Sequence, residues 1–260
     1  MANEDLSVIE IAAGLNTRLI GRNILYYPRL TSTMEAARRE VKKNAPEGSV
    51  VIAGEQTRGR GRLKRAWFSP AGNIALSIVL YPDKSGLPYL IMIASLAAAH
   101  SIESVTGLDT RIKWPNDILL GGKKVAGILI ENEIKGDKVE YAVIGIGINV
   151  ALRPADNSEI SAIATGLEDV LGEKVSREKI IKNLFLEFER LYFQLPDGES
   201  IFKLWRDRLV TLGRKVTVRW GEETLHGVAE SVDESGALLI RLADGTFTKV
   251  VAGDVTLREK

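Results

Sequence analysis

The chain has 260 residues, with 35 Lys and Arg against 34 Asp and Glu, a formal net charge of +1. That length supports one or two domains with a substantial core, and the near-neutral balance supplies no global attraction to nucleic acid or an anionic membrane. There is no cysteine and there are two histidines far apart, His100 and His226, which excludes disulfides, thiolate catalysis and cysteine metal sites and makes zinc a poor candidate.

In chain order, residues 4–20 place Leu6, Ile9, Ala13 and Ile20 on a roughly helical period, with Gly21 positioned to stop the helix. The segment has early acids and no basic run before an apolar core, so it does not read as a signal peptide. A single helix is too little for a winged helix-turn-helix, so no DNA-reading domain of that kind is expected. Ile24–Leu30 reads as a strand. Ser32, with Glu35 three residues on, then reads as a capping box opening a helix to about Asn44.

Ser49–Gly54 and Asn73–Tyr81 read as strands flanking a basic stretch. In the second, Ile74, Leu76, Ile78 and Leu80 alternate with Ala75, Ser77 and Val79, the period of a sheet with one bulky face. Pro88 opens a helix through about Val105, stopped by Gly107. The apolar stretch Leu87–Ile102 contains Ser95, His100 and Ser101 and falls short of a membrane span, so a soluble cytoplasmic protein is the expectation. Thr110–Trp114, Lys124–Glu133 and Lys138–Val150 follow as strands, with Gly121-Gly122 and Gly136-Asp137 as turn chemistry, which implies antiparallel hairpins. Ser158–Leu171, Ser176–Leu195 and Glu199–Val210 read as helices. Strands followed by grouped helices argue for α+β. After Gly213, four short alternating segments with Gly-Glu, Ser-Gly and Asp-Gly turns predict a small β-barrel. The expected domains are 1–212 and 213–260.

The stretch Gly54–Pro70 carries Arg58, Arg60, Arg62, Lys64 and Arg65, with no carboxylate after Glu55, and closes with Trp67 and Phe68. Such cations repel one another unless an anion arrives, and the aromatic pair suggests an anion with an apolar part; a solvated surface loop is the plain alternative. Ordering a fully mobile ten-residue segment costs on the order of 10 kcal/mol, so the stretch is expected to be partly structured before any ligand binds. Nucleotide signatures fail: Lys64 stands where the Rossmann fingerprint begun at Gly59 needs glycine, and Lys124 stands where a P-loop needs Ser or Thr. Three further groups are prominent: Lys113-Trp114-Pro115-Asn116-Asp117, Lys123 to Gly127, and Gly145 to Asn149. Singly these read as an ion pair, a turn, a solvated strand start and a bulge. Together they describe cations for phosphate, a slot for an apolar acid, and Asn116 and Asp117 available to a metal or a proton.

Ser32-Thr33, Gln56, GRGR at 59–62 with Arg65 and Trp67, KWPND at 113–117, KVAGIL at 124–129 and GIGIN at 145–149 occur in the order found in biotin protein ligases, the biotin–[acetyl-CoA-carboxylase] ligases. The chain resembles that family from Ser32 onward. The resemblance implies a mixed, largely antiparallel sheet with helices, related to class II aminoacyl-tRNA synthetases, and an SH3-like barrel at 213–260. It implies that biotin and ATP, carried with Mg²⁺, give biotinyl-5′-AMP, whose biotin passes to a lysine of a biotin carboxyl carrier protein, such as that of acetyl-CoA carboxylase. By the same resemblance Ser32, Thr33 and Gln56 hold the biotin head, while Gly59, Arg60, Arg62, Trp67, Lys124 and Gly127 complete its site. Arg62, Arg65, Trp67, Asn116, Lys124 and Asn149 are implied for ATP, and Arg62, Lys113, Asp117 and Lys124 for catalysis; no side chain is singled out for metal. Met34 departs from the asparagine that often follows Ser-Thr. With no winged helix, neither repressor function nor DNA binding is expected, and a homodimer stays open. A lipoate-type ligase and a nucleic-acid-binding module are the rival readings, separated by the acid that supports exchange and by salt-dependent binding.

Overall fold

The computed structural model describes residues 6–153, 159–220, 223–251 and 253–257. Its centre is a mixed sheet of eight strands: β1 (Ile24–Leu30), β2 (Val50–Arg60), β3 (Ala66–Ser69), β4 (Ile74–Leu80), β5 (Thr110–Lys113), β6 (Asp117–Leu120), β7 (Lys123–Lys135) and β8 (Lys138–Ile148). They run in the order β1-β2-β4-β8-β7-β6-β5, with β3 paired to β2. Only β1 and β2 are parallel; every other pair is antiparallel. Gly121 and Gly122, at φ 57° and 82°, close the β6–β7 hairpin in the left-handed conformation such a turn requires.

The alternation in β4 sorts residues between two different interiors. Ile74, Leu76, Ile78 and Leu80 face the main core, built with α3 (Leu87–Thr106) and α5 (Arg177–Tyr192). The opposite face is also buried. There Val51, Val79 and Val143 pack under α2 (Thr33–Val41), against Met34, Ala36 and Ala37. Further along that face the side chains become small. Ala75 pairs with Gly147 and Ser77 with Gly145 across β4–β8, and Gly147 pairs with Gly127 across β8–β7. This run of small residues leaves a trough where a second layer would otherwise pack.

α3 begins with Pro88 in its first turn and ends at Gly107, whose φ is 71°. With its leading turn it is long and apolar enough to cross a membrane, which corrects the reading that it falls short, but two thirds of it is buried inside the protein. The buried Ser95 and Ser101 hydroxyls return to the Ile91 and Ala98 carbonyls at 2.7 and 2.9 Å, so they cost no unpaired polar group. Glu103 near its end takes both guanidinium nitrogens of Arg208, at 2.8 and 3.0 Å, and the Thr110 hydroxyl at 2.7 Å. Burial pushes its carboxyl up, but the Arg208 and Thr110 bonds outweigh that and leave it below its ordinary value. A depressed folded-state value means this stabilisation is complete above the unfolded value of about 4.3 and is lost as pH falls through the folded one. Glu103→Gln is therefore expected to cost roughly 2 kcal/mol at neutral pH. The gap in melting temperature to wild type should close when pH is lowered below 3 in differential scanning calorimetry.

Two helices are shorter than the periodicity predicts. Near the N-terminus, among the described residues, only α1 (Val8–Ala12) is helical. The following chain is instead held by tertiary bonds, because the buried Glu189 carboxylate accepts the backbone N–H groups of Arg18, Leu19 and Ile20 at 2.7–2.9 Å. The helix expected from Ser158 reduces to α4 (Leu167–Leu171); Ser158 itself lies outside the described residues. A ten-residue α6 (Gly198–Asp207) completes the helical layer.

The C-terminal part is a second, antiparallel sheet of β9 (Lys215–Trp220), β10 (Glu223–Val232), β11 (Leu238–Arg241), β12 (Phe247–Val250) and β13 (Asp254–Leu257), ordered β12-β11-β10-β9-β13. The sequence reading anticipates the first four and misses β13. Its inner residues join the main core. The buried Trp114 fixes the junction: its indole N–H donates to the Gly236 carbonyl at 2.8 Å, and its backbone N–H donates to the Thr211 hydroxyl at 2.9 Å.

Candidate active site

The trough is the floor of a cavity of about 570 Å³. Its roof is the basic stretch, which is folded rather than looped. β2 runs on to Arg60, a single turn follows at Arg62–Lys64, and β3 returns on β2 with Gly59 opposite Trp67. Its tip residue Leu63 holds a left-handed conformation, φ 53°, with its side chain 62% exposed. A side chain on Gly59 would collide with the Trp67 carbonyl, so this glycine lets the two strands approach; it does not itself line the cavity. The Trp67 indole lies across the glycine floor. A Cβ on Gly147 would fall 2.5 Å from the ring, and one on Gly127 would fall 3.1 Å from it.

At one end of the cavity are neutral hydrogen-bonding groups. Ser32 occupies the N-cap position of α2, yet its hydroxyl makes no capping bond, and Glu35 instead accepts from the Thr31 hydroxyl at 3.0 Å. The Ser32 Oγ is buried, with the residue 1% exposed, and has no hydrogen-bond partner among the described residues. Thr33 donates its backbone N–H and its hydroxyl to Gln56 Oε1, at 2.9 and 3.1 Å, and accepts from Ser77 Oγ at 2.8 Å. Both Thr33 donors are therefore committed, and Gln56 is oriented with its Nε2 beside Gly59. A buried hydroxyl without a partner carries a desolvation cost that a polar ligand would remove.

At the other end are charges. Lys124 Nζ lies 2.5 Å from Asp117 Oδ1 and 5.1 Å from the centre of the Trp67 ring. Asp117 is the first residue of β6, a strand absent from the sequence reading, and pairs with Lys113 across the β5–β6 hairpin. Arg62 donates to Asn116 Oδ1 at 3.0 Å, while Asn116 Nδ2 donates to the Ile128 carbonyl at 2.6 Å. Asn149 is buried, with its Nδ2 3.4 Å from the Lys124 carbonyl. Among the described residues Asp117 is the sole lining carboxylate, against the lining cations Arg60, Arg62, Arg65, Lys113 and Lys124. An excess of positive charge in a partly enclosed space favours an anionic ligand.

All the sequence-predicted site residues except Gly59 line this one space. Arg60 lines it with its guanidinium 3.1 Å from Glu131 on β7. The sequence reading gave no place in the cavity to Met34 or to the C-terminal sheet. The Met34 sulfur would lie 2.7 Å from a Cβ on Gly145, so Met34 narrows the trough beside Ser32 and Thr33. Gly253, Val255, Thr256 and Leu257, from the C-terminal sheet, also line the cavity. The departure from asparagine flagged Met34; no local signal marked β13.

A mixed α+β scaffold that opens a glycine-floored slot beneath a cationic hairpin, polar and neutral at one end and basic at the other, defines an enzyme that brings an organic acid to a phosphate. Residues 26–149 match the biotin/lipoate A/B protein ligase family, and residues 211–258 match the biotin protein ligase C-terminal domain. The bifunctional ligase/repressor BirA of Bacillus subtilis is 38% identical over 258 residues, covering 97% of this chain and 79% of that protein. The biotin–[acetyl-CoA-carboxylase] ligase of Paracoccus denitrificans is 38% identical over 219 residues, covering 80% and 91%. The structure is similar to that of a biotin protein ligase from Aquifex aeolicus in complex with biotin and ATP, at a TM-score of 0.78 and 28% identity, covering 92% of this chain and all of that one. The chain belongs to the biotin/lipoate A/B protein ligase family.

Proposed function

We infer that this protein is an ATP-dependent biotin protein ligase, which converts biotin to biotinyl-5′-AMP and passes the biotin to a lysine of a biotin carboxyl carrier protein. The observation that carries the reading is the cavity's two-ended chemistry: Ser32 and Gln56 at a neutral polar end, Arg62, Lys113 and Lys124 at a basic one, and glycines between. The ureido head of biotin is planar, with donors and an acceptor, and suits the unpartnered Ser32 hydroxyl and the oriented Gln56 amide. A dithiolane head offers neither, and a buried hydroxyl left unpaired discriminates strongly against it. That favours biotin over lipoate.

In the first step a carboxylate oxygen attacks the α-phosphorus, a P–O bond forms, and pyrophosphate leaves. Two anions must meet, so Arg62 and Lys124 lower the barrier by being already in place where charge accumulates. Asn149 faces the nucleotide in this reading, and Arg65 approaches it from the hairpin. The second step needs a neutral amine, whereas a free lysine has a pKa of about 10.4. Asp117, fixed by Lys124, serves to orient that amine at the acyl carbon, with Lys113 beside it. No cluster of three or more His, Asp or Glu suited to a metal ion exists among the described residues, and Asp117 is already paired. Mg²⁺ therefore enters as the counter-ion of the nucleotide's phosphates, not as a resident of a protein cage.

We place the domain boundary at 212/213, with a class II synthetase-like domain before it and an SH3-like domain after it. The test is incubation with ATP, Mg²⁺, an apo-carrier domain and either biotin or lipoate, followed by mass spectrometry of the carrier. A gain of one biotin is expected. No gain would overturn the reading, and a gain with lipoate alone would replace biotin as the substrate.

A further inference from the structure

The cationic hairpin is held beside its turn by a carboxylate that lies outside the cavity lining. Glu131 projects from β7 on the same face as Gly127 and Leu129, since alternate residues of a strand share a face. Its Oε2 accepts from Arg38 Nη1 of α2 at 2.8 Å, and its Oε1 lies 3.1 Å from Arg60 Nη2 at the end of β2. Arg60 is the last residue of the strand that rises into the hairpin. Arg38 lies on the helix that presents Ser32, Thr33 and Met34 to the cavity. One carboxylate thus joins the turn end of the roof to the element carrying the polar end. An isolated surface ion pair is worth little, but here one side chain serves two guanidiniums, and the Glu131 side chain is only 23% exposed. Without it, two guanidiniums would face each other with nothing between them.

We propose that Glu131 is a positioning residue for the hairpin. By gripping Arg60 and Arg38 together it holds the roof over the trough before any ligand arrives, and so sets how tightly the acid and its adenylate are retained. Arg60 accordingly acts through Glu131 on the hairpin rather than on the ligand. The retention part of this proposal rests on the ligase reading above; the clamp itself does not.

The hairpin contains five Lys and Arg residues between 58 and 65, so limited trypsin digestion of the ligand-free protein reports its opening directly. Glu131→Ala is expected to raise the rate of cleavage within 58–65 by about tenfold with little change in melting temperature, and Glu131→Asp is expected to restore part of the protection. In 1 M salt the wild-type rate should approach that of the variant, because screening dissolves the clamp. Adding Glu131→Ala to Arg60→Ala should give no further increase, since both remove one interaction. In the ligase assay the variant should raise the biotin KM by about tenfold and leave kcat for exchange within about threefold, a loss of retention and not of chemistry. Cleavage of Glu131→Ala at the wild-type rate, or cleavage that rises only in step with global unfolding, would overturn the clamp. Faster cleavage in a chain that biotinylates nothing would leave the clamp standing and remove the ligase reading.

Discussion

Replacing Lys124 with methionine is expected to lower biotin-dependent ATP–pyrophosphate exchange by about 10²- to 10³-fold, the usual consequence of removing one preorganised charge from a developing oxyanion. The backbone at this residue is among the best fixed in the site. Its N–H donates to the Ile163 carbonyl at 2.8 Å, and its carbonyl accepts from the Thr165 N–H at 2.9 Å. The ammonium is then aimed by Asp117 at 2.5 Å and by the Trp67 ring. Methionine keeps an unbranched stem against Trp67, so packing is largely retained and the loss reports charge. It also leaves Asp117 without its cation in a space that must accept polyphosphate. Part of the loss should therefore appear as weaker ATP binding, and adding Asp117→Asn should recover that part without recovering exchange. Exchange within tenfold of wild type at saturating ATP would remove Lys124 from its assigned role. Arg62→Ala should cost less, more than tenfold, since Arg62 is tied to Asn116 at 3.0 Å and shares the phosphate end with Lys124.

Which parts of this molecule could be read in advance follows from where their physics resides. Pro88, Gly107 and the Gly121-Gly122 turn act through their own backbone, and the elements they bound lie where expected. The N-terminal segment has helical periodicity, but its backbone donors at 18–20 are taken by Glu189, some 170 residues away, which no local pattern reveals. β6 was missed because it is four residues long and lies between a Trp-Pro-Asn turn and a Gly-Gly turn. Ser32 followed by Glu35 is the same pattern whether the serine caps its helix or is kept for a ligand, and only the absent capping bond separates the two. The β4 alternation shows that its two faces differ, but periodicity does not report what covers each of them. Arg60 read as part of the biotin site; its partner Glu131, and the Arg38 that shares it, lie on other elements. The four ordered motifs located the site because each occupies a strand end or turn beside the same trough, and that arrangement leaves its spacing in the chain.

The glycines of the trough supply the sharpest separation between packing and function. Gly147→Ala is expected to raise the biotin Kd by about 5- to 150-fold, the range given by about 1–3 kcal/mol of overpacking. The new methyl would fall 2.5 Å from Trp67 Cε2 and Nε1, in the middle of a rigid bicycle whose backbone is already paired to β2 through Gly59. The indole can yield only by lifting off the floor, which spoils the slot it closes. Gly145→Ala meets an obstruction of similar distance, the Met34 sulfur at 2.7 Å, but a thioether on an unbranched chain can swing aside. Its effect should stay below about fivefold by the same relation. Neither glycine has a positive φ, so alanine brings no backbone strain at either position and both variants should melt within a few degrees of wild type. Calorimetric titration with biotin distinguishes the two. Equal affinities for the two variants would mean that the indole moves as freely as the thioether, and the hairpin would then be no fixed roof. A large loss at Gly147 alone would place the rigidity of the site in the contact between one aromatic ring and two strands that carry no side chains beneath it.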